Sequence, residues 1–181
     1  MRGRLCLIGA GLLMLAGCGE DAAPRADAAV PRVVQLPASA AGGACQLLDY
    51  PMIEQATGTL FDVSAASRHG KTNTCVVRAE SADRPDLALS VTPTSADAAI
   101  FADEVVPSGG KSVKGLGKAA YRSTVAPVKG SGAGVEIGWL TGDGRLVNLR
   151  YTFATGQDRA AAEAFASKLV VLAKKIDTSS L

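Results

Sequence analysis

Histidine is almost missing from this chain: His69 is the only one in 181 residues. A metal site built on two imidazoles and any mechanism with paired histidines are therefore excluded. In the run Arg68-His69-Gly70-Lys71 a lone imidazole reads as a solvated turn residue. No close C-x-x-C pair occurs, so the usual zinc and dithiol redox spacings are absent as well. There is no apolar run of about 20 residues, the length a spanning helix needs. The stretch from Leu5 to Leu15 is broken by Gly9 and Gly11, and Gly17 and the charged Glu20 follow it.

What that stretch does offer is a short basic start, Arg2 and Arg4, an apolar core and the small-residue sequence Leu15-Ala16-Gly17-Cys18. This is the pattern of a secretory signal ending in a lipidation box. The Cys18 thiol is the nucleophile that takes a diacylglyceryl group, and cleavage after Gly17 leaves lipidated Cys18 as the first mature residue. The expected partner of the chain is thus a membrane, held through acyl chains that each contribute about 0.8 kcal/mol per buried CH₂. Gly19, rather than Asp, follows the cysteine. This favours the periplasmic side of the outer membrane in a diderm cell, and in a monoderm cell the outer face of the plasma membrane.

Without residues 1–17 the basic count falls from 19 to 17, equal to the 17 acidic side chains. A mature chain so balanced carries no electrostatic footprint for nucleic acid. Residues 18–43, rich in Ala and Pro and free of aromatics, read as a flexible tether. Residues 44–181 read as one domain. Cys6 leaves with the signal and Cys18 is acylated, so Cys45 and Cys75 remain. In an oxidising compartment they are expected to form a disulfide.

Within the domain, Asp49, Pro51 and Gly58 suit the cap, first turn and stop of a short helix. Strands are predicted over 60–64, 74–80 and 86–92, with Arg68 to Lys71 as a polar turn between the first two. In the third, Leu87, Leu89 and Val91 alternate with small residues. Thr94 and Ser95 predict a helix running to Val106 with Ile100, Phe101 and Val105 on one side. After a Gly/Ser/Lys loop over 107–117, strands are predicted at 119–125, 135–139 and 146–153, the last two joined by Thr141-Gly142-Asp143-Gly144. A helix over 157–176 closes the chain, with Phe165, Leu169, Leu172 and Ile176 on one stripe. The fold class that follows is α+β: an antiparallel sheet of about six strands, helices on one face, two helix-plus-three-strand halves and a C-terminal helix.

Cys45, Leu47-Leu48, Gly58, Cys75 and the run Gly115-Leu116-Gly117 leading to Ala119-Ala120-Tyr121 resemble a family of small bacterial lipoproteins, known mainly from actinobacteria, whose shared domain has no assigned activity. The resemblance spans Cys45 to the last helix and implies the same fold and address, with no mechanism.

Other patterns fall short of catalytic motifs. Gly109-Gly110-Lys111-Ser112 has Val105 where a phosphate-binding loop needs glycine. Gly115-x-Gly117-x-x-Ala120 precedes a strand, where a dinucleotide fingerprint follows one, and reads as a turn allowing close approach of two segments. Ser108-x-x-Lys111 lacks the helix start and partner motifs of a serine/lysine acyl-enzyme. Glu54, Glu136 and Glu163 sit on separate elements. No cofactor or metal is expected. The 107–117 loop, through Ser108, Lys111 and Lys114, is the candidate binding loop, and Trp139, Tyr121, Tyr151 and Phe153 read as core before groove lining. A non-catalytic accessory domain docking an envelope protein is the leading expectation. An inhibitor or immunity lipoprotein against a toxin or hydrolase, and a hydrolase with an unrecognised carboxylate pair, are the alternatives.

Overall fold

A computed structural model describes residues 35–180. Cys18 and the Leu15-Ala16-Gly17 sequence before it lie outside the described residues.

The chain forms a helix α1 (Tyr50–Thr57), strands β1 (Val63–His69), β2 (Thr72–Arg78) and β3 (Asp86–Pro93), a one-turn helix α2 (Ala98–Ile100), strands β4 (Lys111–Ser112), β5 (Ala119–Val125), β6 (Gly134–Leu140) and β7 (Arg145–Thr152), and a long helix α3 (Arg159–Lys175). All strand pairs are antiparallel, in the order β1-β2-β3-β7-β6-β5-β4. The α+β class and the two three-strand halves hold: β1 to β3 form one meander, β5 to β7 the other, and β3 joins β7 at the centre. The seventh strand is β4, two residues inside the expected loop, which exist as a strand only because β5 pairs with them.

Cross-strand rows show how the core is built. Residues directly opposite in register share a face, so Cys75, Leu89, Leu149 and Ile137 form one row. All four are fully buried. Flanking rows carry Val77, Leu87, Tyr151 and Val135, and Val91, Val147 and Trp139. α1 packs on α3, which lies over β5 and β6 and lays Ala162, Ala166, Leu169 and Leu172 against these rows. The alanines on this stripe let the helix approach the sheet closely. Phe165, expected on the buried stripe, is only partly buried and stacks on Tyr151 and Phe153 at its edge.

The disulfide Cys45–Cys75 joins the 3₁₀ segment Gly43–Leu47 to β2, with the two Cα atoms 4.9 Å apart. Packing begins earlier than residue 44: Ala38, in a 3₁₀ turn over Ala38–Ala41, is fully buried, and its carbonyl accepts from the Ser64 hydroxyl. Ala38 is small enough to be enclosed without any aromatic anchor, so composition alone placed the boundary too late.

Three local expectations are corrected. Asp49 occupies the cap position of α1 but its side chain makes no capping bond, while Pro51 and left-handed Gly58 act as expected. β1 begins three residues after its expected start and runs five beyond its expected end, so it includes Arg68 and His69 and leaves only Gly70-Lys71 as the turn. The helix expected up to Val106 begins at the Asp97 cap, whose carboxylate accepts from the Ala99 and Ile100 amides, and changes at once to a π turn over Phe101–Val105. That turn lies on the sheet face opposite α1 and α3. There Phe101 buries against Tyr121 and Leu140, while Ile100 stays half exposed.

Candidate binding grooves at the β4 edge

The apolar row through Leu89, Leu149 and Ile137 continues outward to Arg122 of β5 and Lys111 of β4. Core therefore gives way to charge at the sheet's edge. α3 supplies the counter-ion: Lys111 Nζ donates to Glu163 Oε1 at 2.7 Å, and Arg122 donates to the same oxygen at 3.3 Å. The Lys111 hydrogen bond first, then the two positive charges, hold the Glu163 carboxyl below the ordinary carboxylate range. One turn earlier on α3, Arg159 Nε donates to Thr124 Oγ1 at 2.9 Å and closes the end of this seam.

Between α3 and the strand edge runs a groove of about 460 Å³. Val113 and Val170 give it apolar walls, and Ser112, Ser167, Lys114 and Lys174 line it together with Arg122 and Glu163. Lys114 and Lys174 make no ion pair with any carboxylate among the described residues. Across the Ser112-Val113-Lys114 segment lies a second groove of about 510 Å³, walled by Phe101, Val106, Leu116 and Tyr121. The candidate binding loop is thus a partition between two grooves.

Of its three named residues, Lys111 is committed to Glu163 and Lys114 lines both grooves. Ser108 sits exposed in the tight turn closed by Gly110 N–H to Pro107 C=O, away from either groove. With the Lys111 ammonium held by Glu163, Ser108 and Lys111 form no nucleophile and base. The adjoining glycines serve the close approach expected of them. Lys118 N–H donates to the Leu140 carbonyl at 2.7 Å, and a Cβ on Gly117 would fall 2.2 Å from that same oxygen.

On the opposite face, the Tyr121 hydroxyl donates to Glu136 Oε1 at 2.6 Å, and the Asn148 amide reaches that hydroxyl at 3.5 Å. Burial chiefly, then the Glu136 carboxylate, push the Tyr121 phenol above its ordinary range. Glu136 and Glu163 lie on opposite faces of the sheet, so these two acids do not converge. Trp139 and Tyr151 are core residues, at 2% and 3% exposure. Among the described residues no group of three or more His, Cys, Asp or Glu is arranged to hold a metal, and no helix is long and apolar enough to cross a membrane.

Glu163, Ser167, Val170 and Lys174 escaped sequence reasoning as a groove wall. They recur at helical spacing beside the buried stripe, which is the only signal that linked them. No family model matches the chain, and neither a curated protein nor a solved structure matches it.

Proposed function

We propose that this chain is an exported lipoprotein, anchored in the cell envelope by lipid on Cys18, that works by binding an acidic segment of an envelope protein in the groove between α3 and β4. The observation that carries the binding reading is that Lys114 and Lys174, which make no ion pair among the described residues, line a groove with valine walls. An ion left without a partner at a concave apolar site is complementary to an acidic group flanked by apolar side chains. The export reading rests on Leu15-Ala16-Gly17-Cys18, and the Cys45–Cys75 bridge suits an oxidising compartment. The likeness to small bacterial lipoproteins points the same way.

Two experiments test the two halves. Metabolic labelling with a palmitate analogue should mark the full chain and fail on Cys18→Ser; equal labelling of both would sink the anchor. A photo-crosslinking residue at Ser167 should give one discrete adduct in cells, abolished by Lys114→Glu with Lys174→Glu. An adduct indifferent to those charges would remove the groove from the reading.

A further inference from the structure

Among the described residues β1 is an edge of the sheet, with β2 as its one strand partner. From Ala65 to His69 every residue is exposed. Edge strands present unpaired N–H and C=O groups, and proteins blunt them with proline, bulges, inward charges or a covering element. Along Val63-Ser64-Ala65-Ala66-Ser67 there is no proline, bulge or charge: the side chains are small and uncharged and the pairing to β2 is regular throughout, while the 3₁₀ segments Ala38–Ala41 and Gly43–Leu47 pack against the strand, where the Ser64 hydroxyl donates to the Ala38 carbonyl.

Charge sits only at the two ends. Asp62 immediately precedes the strand, its Oδ1 accepting from the Glu80 N–H at 2.7 Å, and Arg68 nearly ends it, its Nε donating to the Gly70 carbonyl at 3.1 Å; neither makes an ion pair among the described residues. Two copies of β1 running antiparallel about Ala65 would set Ser64 opposite Ala66, Val63 opposite Ser67, and Asp62 of each copy opposite Arg68 of the other. Opposite-charge pairs directly across an antiparallel ladder are favourable, and like charges are not. A strand with acid at one end, base at the other and small residues between is self-complementary under a two-fold axis, as an isologous interface requires. Among the described residues the most exposed large apolar side chains are Leu60 at 70% and Leu36 at 68%, with Gln35 Nε2 donating to the Phe61 carbonyl beside them.

Gln35 lies near β1, whereas the candidate groove lies at the far edge of the sheet, about 29 Å away at the usual strand spacing. We propose that two copies of this protein pair through β1, edge to edge in the Ala65-centred register, forming one continuous sheet. Both Gln35 residues then lie near the same seam and both β4 grooves lie at the outer edges of the joined sheet. Pairing of the strands depends only on β1; the lipid anchor of the proposed function raises the local concentration at which it occurs.

The test is a thiol scan on the full chain in intact cells. Ala65→Cys places two thiols across the two-fold axis and should give a covalent dimer under mild oxidation, whereas Ser67→Cys, facing Val63, should give at least fivefold less. Arg68→Asp in the Ala65→Cys chain should lower the dimer yield, and adding Asp62→Arg should restore it. Equal crosslinking at residues 65 and 67, no dimer at Ala65, or a yield indifferent to the charges would overturn the proposal. The purified Cys18→Ser, Ala65→Cys chain, oxidised at raised concentration, separates the two readings. A dimer there upholds the pairing even if the anchor fails, and none in either setting defeats it.

Discussion

Gly138 lies directly beneath the ring of Tyr121: a Cβ at position 138 would come within 2.3 Å of Tyr121 Cε1. The two residues are register partners on β6 and β5, and the ring also packs with Phe101 and is held at its hydroxyl by Glu136. Gly138→Ala therefore forces the ring off its packing and should destabilise the domain by about 1–3 kcal/mol. A urea melt measures this, and adding Tyr121→Leu should recover part of the loss. An unchanged midpoint for Gly138→Ala would contradict the geometry.

Replacing both cysteines, Cys45→Ser with Cys75→Ser, removes a bridge closing 30 positions of chain. In the chain-entropy account this costs about 3–4 kcal/mol. The same fall should appear when the unaltered protein melts under reducing conditions, and reductant should leave the double variant's curve in place.

The phenols make stability sensitive to alkali. Tyr121 is raised by burial and then by Glu136; Tyr151 is raised by burial, with the Thr59 hydroxyl acting against the shift and Asp86 adding to it. Their folded pKa values exceed the unfolded value near 10. The stabilisation from keeping both neutral is thus complete below about pH 10 and is lost as pH rises through the folded values. Urea midpoints should fall above that pH while phenolate absorbance lags behind free tyrosine. Tyr121→Phe should flatten the fall.

Glu163 neutralises two of the cations around the groove, so Glu163→Gln should tighten binding of an oligo-aspartate peptide. Lys114→Glu with Lys174→Glu should weaken it by roughly tenfold, on the scale of exposed charges worth up to about 1 kcal/mol each. Calorimetric titration at two salt concentrations reads both, and the difference should shrink at high salt. In acid the sign follows from the lowered Glu163 pKa. Its pairing with Lys111 and Arg122 is intact above the unfolded carboxyl value and is lost as pH falls through the folded one.

Much of this fold could be read along the chain. Leu87, Leu89 and Val91, and Val147, Leu149 and Tyr151, alternate because each strand has one face against the helices, and β3 and β7 lie close to where that pattern puts them. α3 and the 141–144 turn were equally legible. β1 was misplaced because Ser-Ala-Ala-Ser at an edge buries no face and leaves no alternation to detect. The π turn at Phe101 was invisible too, since the side chains alone do not fix the extra residue in its last turn.

The amino-acid order by itself determined the alternating strands and the amphipathic last helix, because these depend on local spacing. Only the tertiary structure decided where the apolar row through Leu89 and Ile137 ends in Arg122 and Lys111. It also decided that Glu163, 41 positions from Arg122, would meet that end, and that β1 would stand at the edge of the sheet among the described residues. The reason is that strand order and helix placement are settled by burial of whole faces against one another, a property no single segment carries.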